Sequence, residues 1–139
     1  MRIIKTSHLL ASACALIALS GCETVAEEVT EAVGNEYEVT LSPMSGGTGG
    51  GKAEVSLNDA TNMICTDLEL TNGVTMTAGH IMGPGNTVIA DIDVPDDNDS
   101  DDCDNVGDGV IDAIRQNPSA YSVHIQAGTG DLHGTLRKE

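Results

Sequence analysis

The sequence predicts an all-β domain, an antiparallel Greek-key-like sandwich or barrel with one short helix. Three observations support this prediction. Apolar and polar residues alternate in seven or so short segments, which is typical of strands buried on one side. Turn-forming residues separate these segments, and helical spacing of apolar residues occurs around Val110, Ile111 and Ile114. Many short strands with frequent turns are typical of sandwiches and barrels.

The predicted strands carry apolar residues at every second position. They cover residues 37–41, 53–57, 64–70, 74–82, 88–94, 123–125 and 132–136. The glycine-rich run 45–51 is predicted to be a loop, and Asn72-Gly73 is predicted to form a hairpin turn after the third strand. We expect Asp108 to cap the helix and Asn117-Pro118 to end it.

A basic start and a short apolar run precede Cys22, as in a secretory signal. The motif Leu19-Ser20-Gly21-Cys22 resembles the lipobox of bacterial lipoproteins, which implies cleavage before Cys22 and acylation of Cys22, for example with palmitate. The alternative is an ordinary secretory signal that contains this cysteine. We therefore expect a signal peptide over 1–21, an acidic tether over 22–36 and the β domain over 37–139. The expected location is the bacterial cell envelope, lipid-anchored on the exported side, periplasmic or at the cell surface.

The chain is strongly acidic, with a formal net charge of −16 at pH 7. This charge argues against nucleic acid as a partner and against electrostatic adsorption to anionic lipid. Cations, basic proteins or neutral surfaces are more suitable partners, and the expected protein partner is an envelope or extracellular protein. An acidic surface also fits a salty habitat. The only aromatic residues are Tyr37 and Tyr121, so stacking platforms for sugars or bases are scarce.

Two cysteines remain when Cys14 is removed with the leader and Cys22 carries the lipid. In an exported protein the remaining pair, Cys65 and Cys103, predicts a disulfide. The alternative is a metal site with two thiolates, but neither cysteine has a second cysteine or histidine at zinc spacing.

The histidines are the first candidates for a metal site. His80 and Met82 are two residues apart on a strand, so they share a face. If Gly128-Thr129 forms a two-residue turn, His124 and His133 lie opposite each other with Cβ atoms about 5 Å apart. A set of His and Met ligands suits copper, and imidazoles with a carboxylate suit zinc. However, the spacing places His80 and Met82 on a core-directed face and the other two on a solvent-directed face. A single site using all four is therefore not expected.

The acidic segment 96–104 is the second candidate, because calcium prefers several carboxylate oxygens from a flexible loop. The candidate ligands are Asp97, Asp99, Asp101, Asp102 and Asp104. The segment lacks the glycine and the closing glutamate of an EF-hand, so a solvated loop held by Cys103 is the alternative. No cofactor is expected to be required. No pairing of a nucleophile with a base stands out, so we do not expect an enzyme.

Much of the chain, from about residue 50 to residue 136, resembles the CHRD domain family, which is named after chordin. The segment Thr77-Ala78-Gly79-His80-Ile81-Met82-Gly83 resembles the family's Ala-His-Ile-His-x-Gly. Asn117-Pro118-Ser119-Ala120-Tyr121 resembles its Asn-Pro-x-x-Tyr turn, and Gly130-Asp131-Leu132-His133-Gly134-Thr135-Leu136 resembles its closing Gly-x-Ile-Arg-Gly-Gln-Leu. Two departures are Met82 for the second histidine and His133 for the arginine. Members with cysteines carry one near each of Cys65 and Cys103, which supports the disulfide.

These observations predict a lipid-anchored CHRD-type lipoprotein with a non-catalytic binding or structural role at the cell envelope. The alternative is a metal-binding envelope protein that uses the histidines or the acidic loop. A third hypothesis is a metal-dependent oxidoreductase, since a His-x-His strand in a sandwich is loosely similar to copper–zinc superoxide dismutase. Met82 argues against this third hypothesis because it replaces the second histidine.

Overall fold

A computed structural model describes residues 35–71, 73–95 and 99–138, and the predicted leader and most of the predicted tether lie outside these ranges. Within them, antiparallel strands form one sheet that wraps into a nearly closed barrel, which confirms the predicted fold class. The strands are β1 (Glu36–Pro43), β2 (Gly51–Asn58), β3 (Met63–Leu70), β4 (Met76–Gly83), β5 (Thr87–Ile92), β6 (Asp99–Asn105), β7 (Ser122–Ala127), β8 (Leu132–Thr135) and β9 (Arg137–Lys138). The helix α1 covers Val110–Gln116. None of the helices in the described part is long and apolar enough to span a membrane.

The strands follow the order β5-β4-β7-β8-β1-β2-β3-β6 around the sheet, with β9 paired to β1. The predicted hairpin after β3 is wrong, because β3 pairs with β2 and β6 whereas β4 pairs with β5 and β7. A tight turn does form there: Gly73 has φ 92°, and the Val74 N–H donates to the Thr71 carbonyl at 3.2 Å. The chain leaves this turn toward the other side of the barrel. A turn motif thus predicts a local reversal but not which strands pair.

Alternate residues of the strands point inward and fill the barrel with mostly aliphatic side chains. This core contains Tyr37, Val39, Leu41, Ala53, Val55, Leu57, Ile64, Leu68, Leu70, Ile81, Ala90, Ile92, Val123, Ile125, Leu132 and Leu136. The side chains at the intervening positions point outward. The core is packed with apolar groups, so polar chemistry is expected on the outer surface of the barrel.

The helix α1 packs through Ile111 and Ile114, both of which are buried. Its N-cap is Gly109, whose φ of 80° suits glycine, so the predicted cap by Asp108 is wrong. The Asp108 carboxylate instead accepts a hydrogen bond from the Asn62 side-chain amide at 3.1 Å. Arg115, near the end of the helix, donates hydrogen bonds to Asn35 and to Asp59.

Two carboxylates join the end strands of the sheet, β5 and β6, at a junction that we call the seam. The Asp91 N–H donates to Asp104 Oδ2 and the Asp93 N–H donates to Asp102 Oδ2, each at 3.1 Å. Asp102 and Asp104 lie opposite the buried Thr66 and Ile64 on β3, so they lie on the inner side of β6. The barrel is therefore closed here by side-chain acceptors.

The acidic segment is a strand from Asp99 onward, so the prediction of a loop is wrong for residues 99–104. The physical reason is its partner: β6 pairs with β3 over seven residue pairs. Cys65 and Cys103 lie directly opposite each other in this ladder and form a disulfide, which confirms the predicted pairing. Pairing and the covalent bond together override the low strand propensity of aspartate.

Replacing Asp104 with alanine is expected to lower the free energy of unfolding by about 1.5 kcal/mol, since its carboxylate accepts backbone hydrogen bonds from Asp91 and Asn105. Urea denaturation measures this change. The matched control is Asp101→Ala, on the exposed outer side of the same strand and opposite Asp67, where removal of a charge is expected to be neutral or stabilising. Equal losses in the two variants would contradict a role of Asp104 in closing the seam.

Candidate functional site

Three histidines form one row across three neighbouring strands. In the antiparallel ladders, His80 on β4 lies opposite His124 on β7, and His124 lies opposite His133 on β8. Directly opposed residues in such ladders have side chains on the same face. Asp91 on β5 and Ser42 on β1 extend the row at its two ends. We call the outer surface that carries His80, Met82, His124 and His133 the histidine face.

The prediction that His80 and Met82 point into the core is wrong. A β-bulge between Met76 and Ala78 shifts the register of β4 against β7, so the alternation of faces changes within the strand. Met76 is buried, but beyond the bulge the buried positions are Gly79 and Ile81. The bulge therefore brings all four predicted ligands to one face. In the sequence, Gly79 is the residue that could have indicated this bulge, because a glycine inside a strand often marks a bulge or a close approach of another chain segment.

Two of the imidazoles are paired with carboxylates. His80 Nδ1 lies 2.8 Å from Asp91 Oδ1, and the His80 side chain is 26% exposed. His124 Nε2 lies 3.4 Å from Asp131 Oδ2, with the His124 side chain 23% exposed. A carboxylate that holds one ring nitrogen orients the ring and leaves the other nitrogen available to a ligand.

His133 differs from the other two because its side chain is exposed. Within residues 35–71, 73–95 and 99–138, it has no hydrogen-bond or ion-pair partner. Both nitrogens of this ring are therefore open to a ligand from solvent.

Sequence reasoning did not include Asp91 and Asp131 among the site residues. Asp91 lies opposite His80, but a bulge between Ile81 and Met82 interrupts the β4–β5 pairing and conceals this register in the sequence. Asp131 directly precedes β8 and reaches His124 diagonally across the hairpin. The predicted turn at Gly128-Thr129 places Asp131 near His124, so the hairpin was a usable signal for this contact.

The row brings the histidines together in pairs. Opposed Cβ atoms on neighbouring strands are about 5 Å apart, whereas two strand spacings separate His80 from His133 by about 10 Å. Among the described residues, no three His, Cys, Asp or Glu side chains converge closely enough to hold a metal ion together. The ligand set that this face offers is therefore a pair of imidazoles, either His80 with His124 or His124 with His133.

The opposite side of the barrel carries an acidic row. Glu38, Glu54, Asp67 and Asp101 lie opposite one another in turn across β1, β2, β3 and β6. Lys52 Nζ lies 3.8 Å from Glu38 Oε1 and offsets part of this charge. These four carboxylates are thus located away from the histidine face.

The predicted cation-binding aspartates do not form one loop. Asp97 lies outside the described residues, and Asp99 is described through its backbone pairing with Glu69. Asp101 points outward, whereas Asp102 and Asp104 point to the inner side of the same strand and accept hydrogen bonds at the seam. The described members therefore face two sides of β6. Cation binding by this segment stays a prediction.

Comparisons of the chain with protein-family models, with curated proteins and with solved structures gave no match. The resemblance to the CHRD family therefore stays a prediction.

Proposed function

We propose that this chain is an exported, lipid-anchored protein of the bacterial envelope whose β domain binds a ligand on its histidine face without catalysing a reaction. The observation that carries the proposal is the row of His80, His124 and His133 on the outer surface of a barrel with a packed core. On a chain with a formal net charge of −16, this row of three imidazoles presents nitrogen ligands on a surface where most of the charged side chains are carboxylates.

Binding fits this geometry better than catalysis. The histidine face is the convex outer side of three strands, with His133 exposed to water. Acid–base and nucleophilic catalysis depend on groups that are fixed around a substrate and shielded from water. A convex surface does not enclose a substrate, but it can bind a ligand through side chains that stay exposed to water.

The proposed location at the membrane rests on the sequence before the barrel, most of which lies outside the described residues. The lipobox-like motif that ends at Cys22 supports acylation, and two or three acyl chains on one residue give stable anchoring. Residues 22–36 would span at most about 50 Å when fully extended. The domain would thus act close to the membrane, on proteins or small ligands of that space.

Metabolic labelling of the full chain with radioactive palmitate, followed by membrane fractionation, tests this proposed lipid anchoring. We expect label and membrane association in the unmodified chain, and the loss of both in Cys22→Ser. Cys14→Ser is the matched control, because this cysteine lies in the predicted leader, and it should keep both. Palmitate that persists in Cys22→Ser would overturn the proposed anchor, as would a chain that is soluble and unlabelled in every variant.

A further inference from the structure

We propose that His124 and His133 together hold one copper(II) ion on the β7–β8 hairpin. This inference rests on the proposed function, because it names the ligand of the histidine face. The two residues lie directly opposite each other in the hairpin ladder, so their Cβ atoms are about 5 Å apart. At that separation both imidazoles can reach one ion.

The backbone beneath this pair is held firmly. Ile125 and Leu132 are the neighbours of the two histidines, lie opposite each other in the same ladder and are fully buried. A two-residue turn closes the hairpin, with the Gly130 N–H donating to the Ala127 carbonyl at 3.0 Å. Because the core fixes the register, the ligand spacing exists before an ion arrives, which reduces the ordering that binding requires.

His133 is preferred over His80 as the second ligand. Asp91 lies on β5, on the side of β4 away from β7, so its carboxylate, 2.8 Å from His80 Nδ1, holds the His80 ring toward β5. His133 has no such partner among the described residues, and its exposed ring can turn toward His124. His124 contributes the nitrogen that is not next to Asp131, whose Oδ2 lies 3.4 Å from His124 Nε2.

Copper(II) suits this arrangement better than the other divalent ions. Imidazole nitrogen binds zinc, nickel and copper, and copper(II) has the highest affinity in the series for a given nitrogen and oxygen site. Closed zinc sites use four protein ligands, whereas a tetragonal copper(II) ion can combine two imidazoles with water. The negative charge of the domain raises the local concentration of any cation.

Calorimetric titration with copper(II) chloride, together with electron paramagnetic resonance, tests the inference. The sample is the full chain with its disulfide oxidised, isolated from membranes in detergent without a histidine tag, because a tag would itself bind copper. We expect one ion per chain and magnetic coupling to two imidazole nitrogens. His124→Ala and His133→Ala should each weaken binding by about tenfold or more, since loss of an outer-sphere partner alone weakens metal binding about 10–100-fold.

His80→Ala tests the alternative pair of His80 with His124. The matched control is Gln126→Ala, because it truncates an exposed side chain on the same strand as His124 without removing an imidazole. We expect the copper affinity of Gln126→Ala to stay close to that of the unmodified chain. Thermal unfolding without metal should show that all four variants fold alike, since all four positions face outward.

Three results would overturn the inference: no bound copper, equal binding in all variants, or binding that depends on His80 instead of His133. Failure here is separable from failure of the proposed function. A chain that is palmitoylated and membrane-bound but takes up no copper refutes only the identity of the ligand. A chain that binds copper but carries no palmitate refutes the proposed lipid anchoring.

Discussion

Replacing both Cys65 and Cys103 with serine is expected to lower the free energy of unfolding by about 4 kcal/mol. The bond links residues separated by 38 positions, so its loss restores a large amount of conformational freedom to the unfolded chain. It also attaches β6 covalently to β3, and β6 is held on its other side by the seam. A domain of this size has a total stability of about 5–15 kcal/mol, so this loss is a large fraction of it.

Urea denaturation of the oxidised protein and of the double serine variant measures this difference. Chemical reduction of the unmodified protein is the control, and it should reproduce the variant without any change in sequence. A loss below about 1 kcal/mol in both samples would contradict the expected role of the bond. Combining the serine variant with Asp104→Ala should give a non-additive loss, because both changes release the same strand.

Gly134→Ala is expected to destabilise the fold by about 3 kcal/mol. Gly134 is buried on β8 where that strand approaches β1. A methyl group at this position would overlap the backbone carbonyl oxygen of Thr40 and would lie 2.5 Å from Val39 Cγ1. A backbone atom cannot rotate away as a flexible side chain can, so β1 and β8 would have to separate.

The matched control is Gly128→Ala, in the turn of the same hairpin. An added Cβ there meets no atom within 4 Å, and Gly128 is not among the glycines with positive φ. Its effect is expected to stay within about 0.5 kcal/mol. Thermal and urea unfolding of the two variants side by side give the comparison. Similar stabilities for the two would show that β1 and β8 can separate at little cost.

The sequence predicts the strands well where one face of each is apolar. Alternation locates most of the strands, and the Gly128-Thr129 turn gives the pairing of His124 with His133 correctly. These features depend on local patterns, in which each residue points to the side opposite its neighbour. The disulfide is also predictable, because the expected removal of Cys14 and acylation of Cys22 leave Cys65 and Cys103 as the remaining pair.

The remaining features depend on long-range pairing. The bulge between Met76 and Ala78 moves His80 to the outer face, although strict alternation from Val74 predicts the core. The one-residue shift in the β4–β5 ladder similarly conceals the contact between His80 and Asp91. A one-residue insertion exchanges the two faces of a strand, so a single bulge is enough to mislead an analysis based on periodicity.

Strand β6 was unpredictable for a different reason. Its sequence is almost entirely aspartate, asparagine and serine, residue types that are depleted in strands. It becomes a strand because β3 offers it a complete ladder and because the seam gives its inward carboxylates backbone donors. No local sequence pattern indicates that β6 has these partners.

The seam also bears on self-association. Exposed strand edges can pair between copies of a protein and start aggregation. In this barrel the N–H groups of Asp91 on β5 and of Asp93 directly after β5 are already occupied by carboxylates from β6. A neighbouring copy would therefore meet negative charge instead of a free row of donors. The same aspartates that close the barrel would thus keep crowded copies of the domain apart.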